Sequence, residues 1–420
     1  MGEEKLVNVG VDTLVLNVFY MNEQGKPVKR ELDAGLWRQL DEWKRAAQEL
    51  HEDVATSLAF NDAVLHMAPN GAGQGQWPWL LRTKDITFYV SGGHWNGIAS
   101  LRFSSQYLWS CEALLVAIIR GQEFVDSLFQ QEMYLQVSSV DLCVDVAGWQ
   151  DIARLDRSQN FIARSRKRGV YEETDWGADL KSREYSLGLQ RTGFDFSRDN
   201  KASSGLSCRI YDKSREIEKS GKDWFTDLWR SRGWTEDDGH VWRVEFSFKR
   251  EALHELQQEN TDHEVVFWGI EDVYDLPERL PVLWAYAAGQ VNGGPDGLPD
   301  GWLRCVLPNG DTNRSRWPTH PVWQLIQGAF LKPMEVPPQF GKIVRRRWEE
   351  HNIDKGIEAV IGYLSSLAAW VGDDVDEEST DLSVMLHWLM QEGSDYLERV
   401  ERDFGAEVQR KRLKFGLQGR

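Results

Sequence analysis

The chain has 420 residues, with 66 acidic against 49 basic side chains and a formal charge of −17. That length suits about two or three domains with a large core. The acidity excludes nonspecific coating of nucleic acid by a basic surface and leaves room for local contact alone.

The opening, MGEEKLVNVGVDTLVLNVFY, is an apolar run interrupted by Asn8, Gly10, Asp12 and Asn17 with acids ahead of it. It reads as a strand over 6–20 and not as a signal peptide. Further strands are expected at 86–90 and 98–103. Helices are expected at 34–49 and 112–130, where apolar residues recur every three to four positions. Three alternating segments, 137–146, 206–213 and 241–248, each read as a strand with one oily and one polar face. Residues 164–205 break the rhythm with RSRKRG and few apolar clusters, which predicts an exposed loop or arm. Its Arg164, Arg166, Lys167 and Arg168 suit a solvated turn as well as phosphate contact. Trp176 and Phe194 in this arm could stack on unpaired bases, with core packing as the default for each.

From about 252 onward, helices and Pro/Gly/Trp-rich loops take over. The spacing predicts a helix pair at 272–289 interrupted near Pro277 and Pro281, a turn-rich crossing at 291–301, and helices at 353–371 and 382–414 split by the acidic stretch GDDVDEEST. Lys342, Arg345, Arg346 and Arg347 form a second basic cluster, whose three arginines are a second candidate contact to DNA. No internal repeat is visible. The fold class expected is α+β: a catalytic core of mixed or antiparallel sheet with helices, then a mostly helical C-terminal region. The regions expected are 1–255, 256–345 and 346–420. The twenty tryptophans are expected mostly as half-buried anchors or binding surface. No apolar stretch reaches the ~18 residues of a membrane span. The four cysteines show no CxxC spacing, which argues against a zinc site or disulfide framework. No membrane partner and a reducing cytoplasm follow as expectations.

The polar faces of the three alternating segments carry the chemistry. They hold Asp141, Cys143 and Asp145; Ser207, Arg209, Tyr211 and Lys213; and Arg243, Glu245 and Ser247. Cleavage of a phosphodiester needs a nucleophile, charge neutralisation and usually a divalent cation held by carboxylates. Tyr211 can supply the nucleophile, with Arg209 and Lys213 expected to favour its phenolate. Arg243 is a further catalytic cation. Asp141, Glu245 and Asp145 are the candidate ligands for Mg²⁺ or Mn²⁺. Asp141 and Asp145 lie ~13 Å apart on a straight strand, so Asp141 with Glu245 is the favoured pair and Asp145 a support or the partner of an arginine. Against this stands the reading that these faces simply meet water. No HxH or HExxH spacing, Walker A sequence or GxSxG is present, which disfavours a His-paired nicking motif, a zincin, a nucleotide hydrolase and a serine hydrolase.

SSVDLCVDVAGW at 138–149, CRIYDKSREIEKSGK at 208–222 and VWRVEFSFKREAL at 241–253 resemble, in order, blocks of the replication initiation factor family, the Rep_trans type of rolling-circle initiators. LPVLWAYAAG and GWLRCVLPNGDTNRSRWPTHPVW within 280–323 resemble an extension in members from larger elements. The resemblance covers about 80–325. It implies a DNA strand transferase that nicks one strand at an origin and stays attached through a 5′-phosphotyrosine. It implies a divalent metal, double-stranded origin DNA with a single-stranded or hairpin nick site, a host helicase and a homodimer. Asp141, Tyr211, Arg243 and Glu245 fall in the shared blocks. Many members carry a second tyrosine shortly before the IYDK block, where RTGFDFSR here has Phe194. The nucleophile is then Tyr211, or Tyr185 from the arm, or nicking has been lost. A conjugative relaxase and a noncatalytic origin-binding regulator are the alternative functions.

Overall fold

The computed structural model describes residues 3–92, 97–164, 167–172, 191–197, 205–259, 265–291, 293, 300–331, 342–345, 353–371, 382–400 and 402–414. In chain order its elements are β1 (Lys5–Met21), β2 (Pro27–Val28), α1 (Ala34–Leu50), β3 (Val54–Phe60), β4 (Ala63–Met67), β5 (Trp79–Arg82), β6 (Ile86–Val90), β7 (Ala99–Phe103), α2 (Ser105–Ser110), α3 (Leu114–Phe129) and β8 (Met133–Ala147). Then come α4 (Arg157–Asn160), β9 (Phe161–Ala163), β10 (Lys167–Glu172), β11 (Arg191–Ser197), β12 (Leu206–Asp212), α5 (Lys213–Ser220), α6 (Trp224–Ser231), β13 (Val241–Lys249), α7 (Arg250–Glu255), β14 (Leu256–Glu259) and β15 (Val265–Trp268). The rest are α8 (Leu276–Ala288), β16 (Leu303–Cys305), α9 (Pro321–Gln327), β17 (Ile343–Arg345), α10 (Ile353–Val371), α11 (Leu382–Arg399) and α12 (Phe404–Lys414). The protein is α+β. Two compact units form, Met1–Arg346 and Arg347–Arg420. Among the described residues no helix is long and apolar enough to cross a membrane.

A twelve-stranded sheet dominates the first unit, in the order β10-β11-β12-β13-β8-β1-β7-β6-β5-β4-β3 with β2 beside β1. Its pairings are antiparallel throughout. The centre is the long β1–β8 pair, and the two halves share one plan. β1 pairs with β7, and β6 to β3 follow outward in reverse chain order; β8 pairs with β13, and β12 to β10 follow likewise. The topology therefore repeats although the sequence shows no repeat, because strand pairing asks only for alternation of period two.

Alternation also sets the layers. Leu14, Leu16 and Val18 of β1, with Val140, Leu142 and Val144 of β8, point into the main core. There they meet Leu40 and Ala47 of α1, Ile118 and Val125 of α3, Leu283 and Trp284 of α8, and Trp323 of α9. Two of the large indoles buried here give their N–H an acceptor: Trp284 donates to the Ile326 carbonyl at 2.8 Å and Trp323 to that of Ala288 at 2.9 Å. The opposite face is covered in the second half by a smaller cluster of Ile217, Phe225 and Trp229 from α5 and α6 over Val7, Ala147 and Val241.

Three expectations need correction. The supposed arm contains strands β10 and β11, which extend the sheet. Phe194 and Phe196 lie fully buried against Phe161, so Phe194 does not stack on DNA; three residues of alternation are too short a signal to announce a strand. Residues 276–288 form one helix, not an interrupted pair. Pro277 sits in its first turn, where the lost N–H has no helical acceptor anyway, and burial of 282–288 offsets the bond lost at Pro281. Finally, β3 to β5 occupy residues 54–82, where no strand was expected.

Candidate active site

Register brings the polar faces of β12, β13 and β8 together. Arg209 pairs across from Glu245, Tyr211 from Arg243, Glu245 from Cys143, Arg243 from Asp145 and Ser247 from Asp141. Same-face neighbours on adjacent strands stand directly opposite or one diagonal apart, within reach of long side chains. The Tyr211 hydroxyl donates to Glu245 Oε2 at 3.1 Å, and Arg209 donates to Glu245 Oε1. Asp141 stands diagonal to Glu245, close enough to feel its charge. Tyr211, Arg209, Glu245 and Asp141 thus form one cluster.

This face does not simply meet water. Glu245 is 3% exposed and Tyr211 8%, while the Arg209 side chain is 41% exposed and forms the solvent side of the cluster. Burial, reinforced by the Glu245 charge, pushes the Tyr211 phenol well above its ordinary value. The expected tilt toward phenolate is therefore overturned, because desolvation and a carboxylate outweigh the flanking cations. The phenol is protonated and hydrogen-bonded to a carboxylate, which is the geometry of a nucleophile with its base.

Beside this cluster lies a buried ionic network. Arg243, 0% exposed, donates a fork to Asp145, Nε to Oδ1 at 2.6 Å and Nη2 to Oδ2 at 2.9 Å, and donates to Asp12 at 2.5 Å. Asp145 also accepts from Trp229 Nε1 at 2.9 Å and Asn8 at 3.2 Å. Arg232 in turn donates to Asn8. Burial works against the Asp12 carboxylate, but Arg243 and Lys213 outweigh it and lower its pKa. Lys213 opens α5, pairs with Glu216 and lies 4.4 Å from the Phe225 ring centre and 5.7 Å from that of Tyr211. Burial and the nearby Arg243 lower its pKa.

The network revises the roles read from sequence. Arg243 is sealed in the interior with its donors spent on Asp145 and Asp12, so it orders the sheet and does not meet substrate. Asp145 has both oxygens on that guanidinium and leaves the metal set. Among the described residues no group of three or more His, Cys, Asp or Glu side chains is placed to hold a metal. Arg345 is ion-paired with Glu251 at 2.9 Å and with Glu255 at 2.5 Å, which removes it from the DNA contacts. Arg164 is exposed, its amide bonded to the Trp302 carbonyl. Lys167 and Arg168 lie on the outermost strand β10. Tyr185, Arg166, Trp176, Arg346 and Arg347 lie outside the described residues. Phe194 pairs with Ile210 on the core side, so even a tyrosine there would point away from Glu245. The residue missed is Asp12. Its signal was the alternation of Asn8, Gly10 and Asp12 with Val7, Val9 and Val11, which puts a polar face on β1 as well.

Of the pair that remains, Asp141 is the one with an oxygen to offer a divalent cation, since Glu245 accepts from Tyr211 on one oxygen and from Arg209 on the other. Asp141 Oδ1 is buried with no hydrogen-bond partner, and burial with the Glu245 charge raises the Asp141 pKa. A cation would relieve both. Mg²⁺ commonly takes one or two carboxylates and fills its other positions with water and substrate phosphate. Comparison of the chain with protein-family models and with curated proteins finds no match.

Proposed function

We propose that this protein nicks one strand of DNA through Tyr211, as a rolling-circle replication initiator. The observation that carries the reading is the Tyr211–Glu245 hydrogen bond, set between a partly exposed arginine and a carboxylate with an orphaned oxygen. Tyr211 Oη attacks the phosphorus as Glu245 accepts its proton; the Oη–P bond forms, the P–O3′ bond breaks, and the 3′ oxygen leaves as a hydroxyl by taking up a proton. The product is a 5′-phosphotyrosine, which keeps the energy of the linkage for later rejoining. Arg209 meets the phosphate from the solvent side. Asp141 would hold Mg²⁺ or Mn²⁺, with Glu245 joining it only on releasing Arg209 to the phosphate, and the ion would neutralise charge developing there.

The test is incubation with Mn²⁺ and supercoiled DNA bearing the cognate origin. Nicked circles with protein on the 5′ end are expected from the native chain, and none from Tyr211→Phe. Glu245→Gln should slow nicking by about 10²–10⁴-fold, the usual worth of a general base. The depth at which Tyr211 is buried favours one second reading, a noncatalytic origin-binding regulator. That reading holds if the native chain binds the origin and forms no adduct. A host helicase, a homodimer and conjugative transfer in place of replication belong to the same proposal and are decided by pull-down, sedimentation and mating assays.

A further inference from the structure

The face of the sheet that carries Tyr211 and Glu245 continues across β8 into the other half of the sheet, where its character changes. On β1 the outward residues are Thr13, Val15, Asn17 and Phe19, opposite Asp141, Ser139, Gln136 and Tyr134 of β8. Arg102 of β7 follows beside Val15, and Tyr89 of β6 beside Ser100. Asn17, Phe19, Tyr89, Tyr134 and Gln136 are part-exposed and Arg102 is exposed. The core helices α1 and α3 pack against the other face.

Two properties set this surface apart. It presents aromatic rings in two places, Phe19 with Tyr134 at 6.4 Å between centroids and Tyr89 with Trp77 at 6.0 Å, with amide side chains between them. Its strands from β1 outward to β3 also carry no carboxylate beyond Thr13, in a chain that has 66. β1 from Thr13 onward and β2 to β7 contain no Asp or Glu, whereas the strands of the other half carry Asp141, Asp145, Asp195, Asp212 and Glu245. The acids stand at its margins: Asp141 at the inner end, Glu271 and Asp272 beside Tyr134, and Asp53, forked by Arg82, at the far edge.

We infer that this open half-sheet is the track for single-stranded DNA leading to Tyr211, an inference that rests on the nicking reading. Rings presented on a surface suit unpaired bases, because stacking accepts any base and a duplex hides its base faces. Arg102, on strands that carry no carboxylate of their own, lets the phosphates approach an otherwise acidic protein between the acids at the margins. The path from β8 to β5 crosses four inter-strand gaps, or ~19 Å, and begins at Asp141. A duplex fits this surface poorly, because its grooves admit a helix or a two-stranded ribbon and not a broad sheet.

The experiment is fluorescence anisotropy of a 5′-labelled dT15 oligonucleotide with the full chain in EDTA, at two salt concentrations, beside a duplex of equal length. The native chain is expected to bind dT15 more tightly than the duplex. Phe19→Ala with Tyr89→Ala should weaken dT15 binding at least tenfold with the salt slope unchanged, and Arg102→Gln should flatten the slope. Near-UV circular dichroism confirms that the variants are folded. Native-like dT15 binding by the ring variant, or no preference for dT15 over duplex, overturns the track. The adduct assay on the native chain separates the two ideas: an adduct formed while the ring variant binds normally sinks the track alone, and ring-dependent binding without an adduct sinks the nicking alone.

Discussion

Two carboxylates on one face, Asp145 and Glu245, have opposite assignments because of what stands beside them. Asp145 is bound on both oxygens by a fully buried guanidinium. Removing one member of a buried pair strands the other charge, at a cost of about 3–5 kcal/mol. Asp145→Asn is therefore expected to lower the unfolding free energy by that much, read as a fall in the urea midpoint with an unchanged m-value. Glu245→Gln should show its loss in nicking, as proposed above. A third pair gives a pH signature. His240 Nδ1 lies 2.6 Å from Asp212 Oδ2, and that hydrogen bond raises the His240 pKa. A raised folded pKa means stability fully present below the unfolded value, ~6.5, and lost as pH climbs through the folded one. His240→Gln should thus destabilise the protein at pH 5.5 and converge with the native chain at pH 8.5. The effect will be small, because the imidazole is half-exposed and solvent screens it.

Packing of α3 on the sheet turns on Gly121. A Cβ built there would stand 2.8 Å from Phe103 Cζ and 3.0 Å from Leu101 Cδ2. Alanine would gain helix propensity of about 1 kcal/mol, while overpacking a close helix–sheet contact costs about 1–3 kcal/mol. Gly121→Ala is expected to destabilise by up to ~2 kcal/mol, read as a fall in thermal midpoint; a stabilised variant would mean that α3 lifts from the strands freely. Most elements were legible at this scale. β1, β8, α1, α3 and α10 lie within a few residues of their expected bounds because each has a long run of one period, and β6 and β7 because their few residues alternate cleanly between apolar and polar. β3 to β5, β10 and β11 escaped, being strands of weak apolar alternation that pairing with neighbours stabilises.

At the scale of the molecule, the unit Met1–Arg346 contains the whole twelve-stranded sheet and the candidate site. A chain ending at 346 is expected to unfold in one cooperative transition with the near-UV spectrum of the longer protein's first unit; a broad or multiphasic transition would show that the helices after it are needed for its fold. The sequence alone settled the α+β class, the central strands and the residues that share a polar face, since these depend on local periodicity. It also located Tyr211, Glu245 and Asp141 as one constellation, because three strands each offered complementary groups. Tertiary structure decided what each charge does. Whether Arg243 meets a phosphate or Asp145, whether Tyr211 is a phenol or a phenolate, and which half of the sheet stays open all depend on what the folded chain lays over each strand. Burial and cross-strand distance set those outcomes, and neither is written in the spacing of residues along the chain.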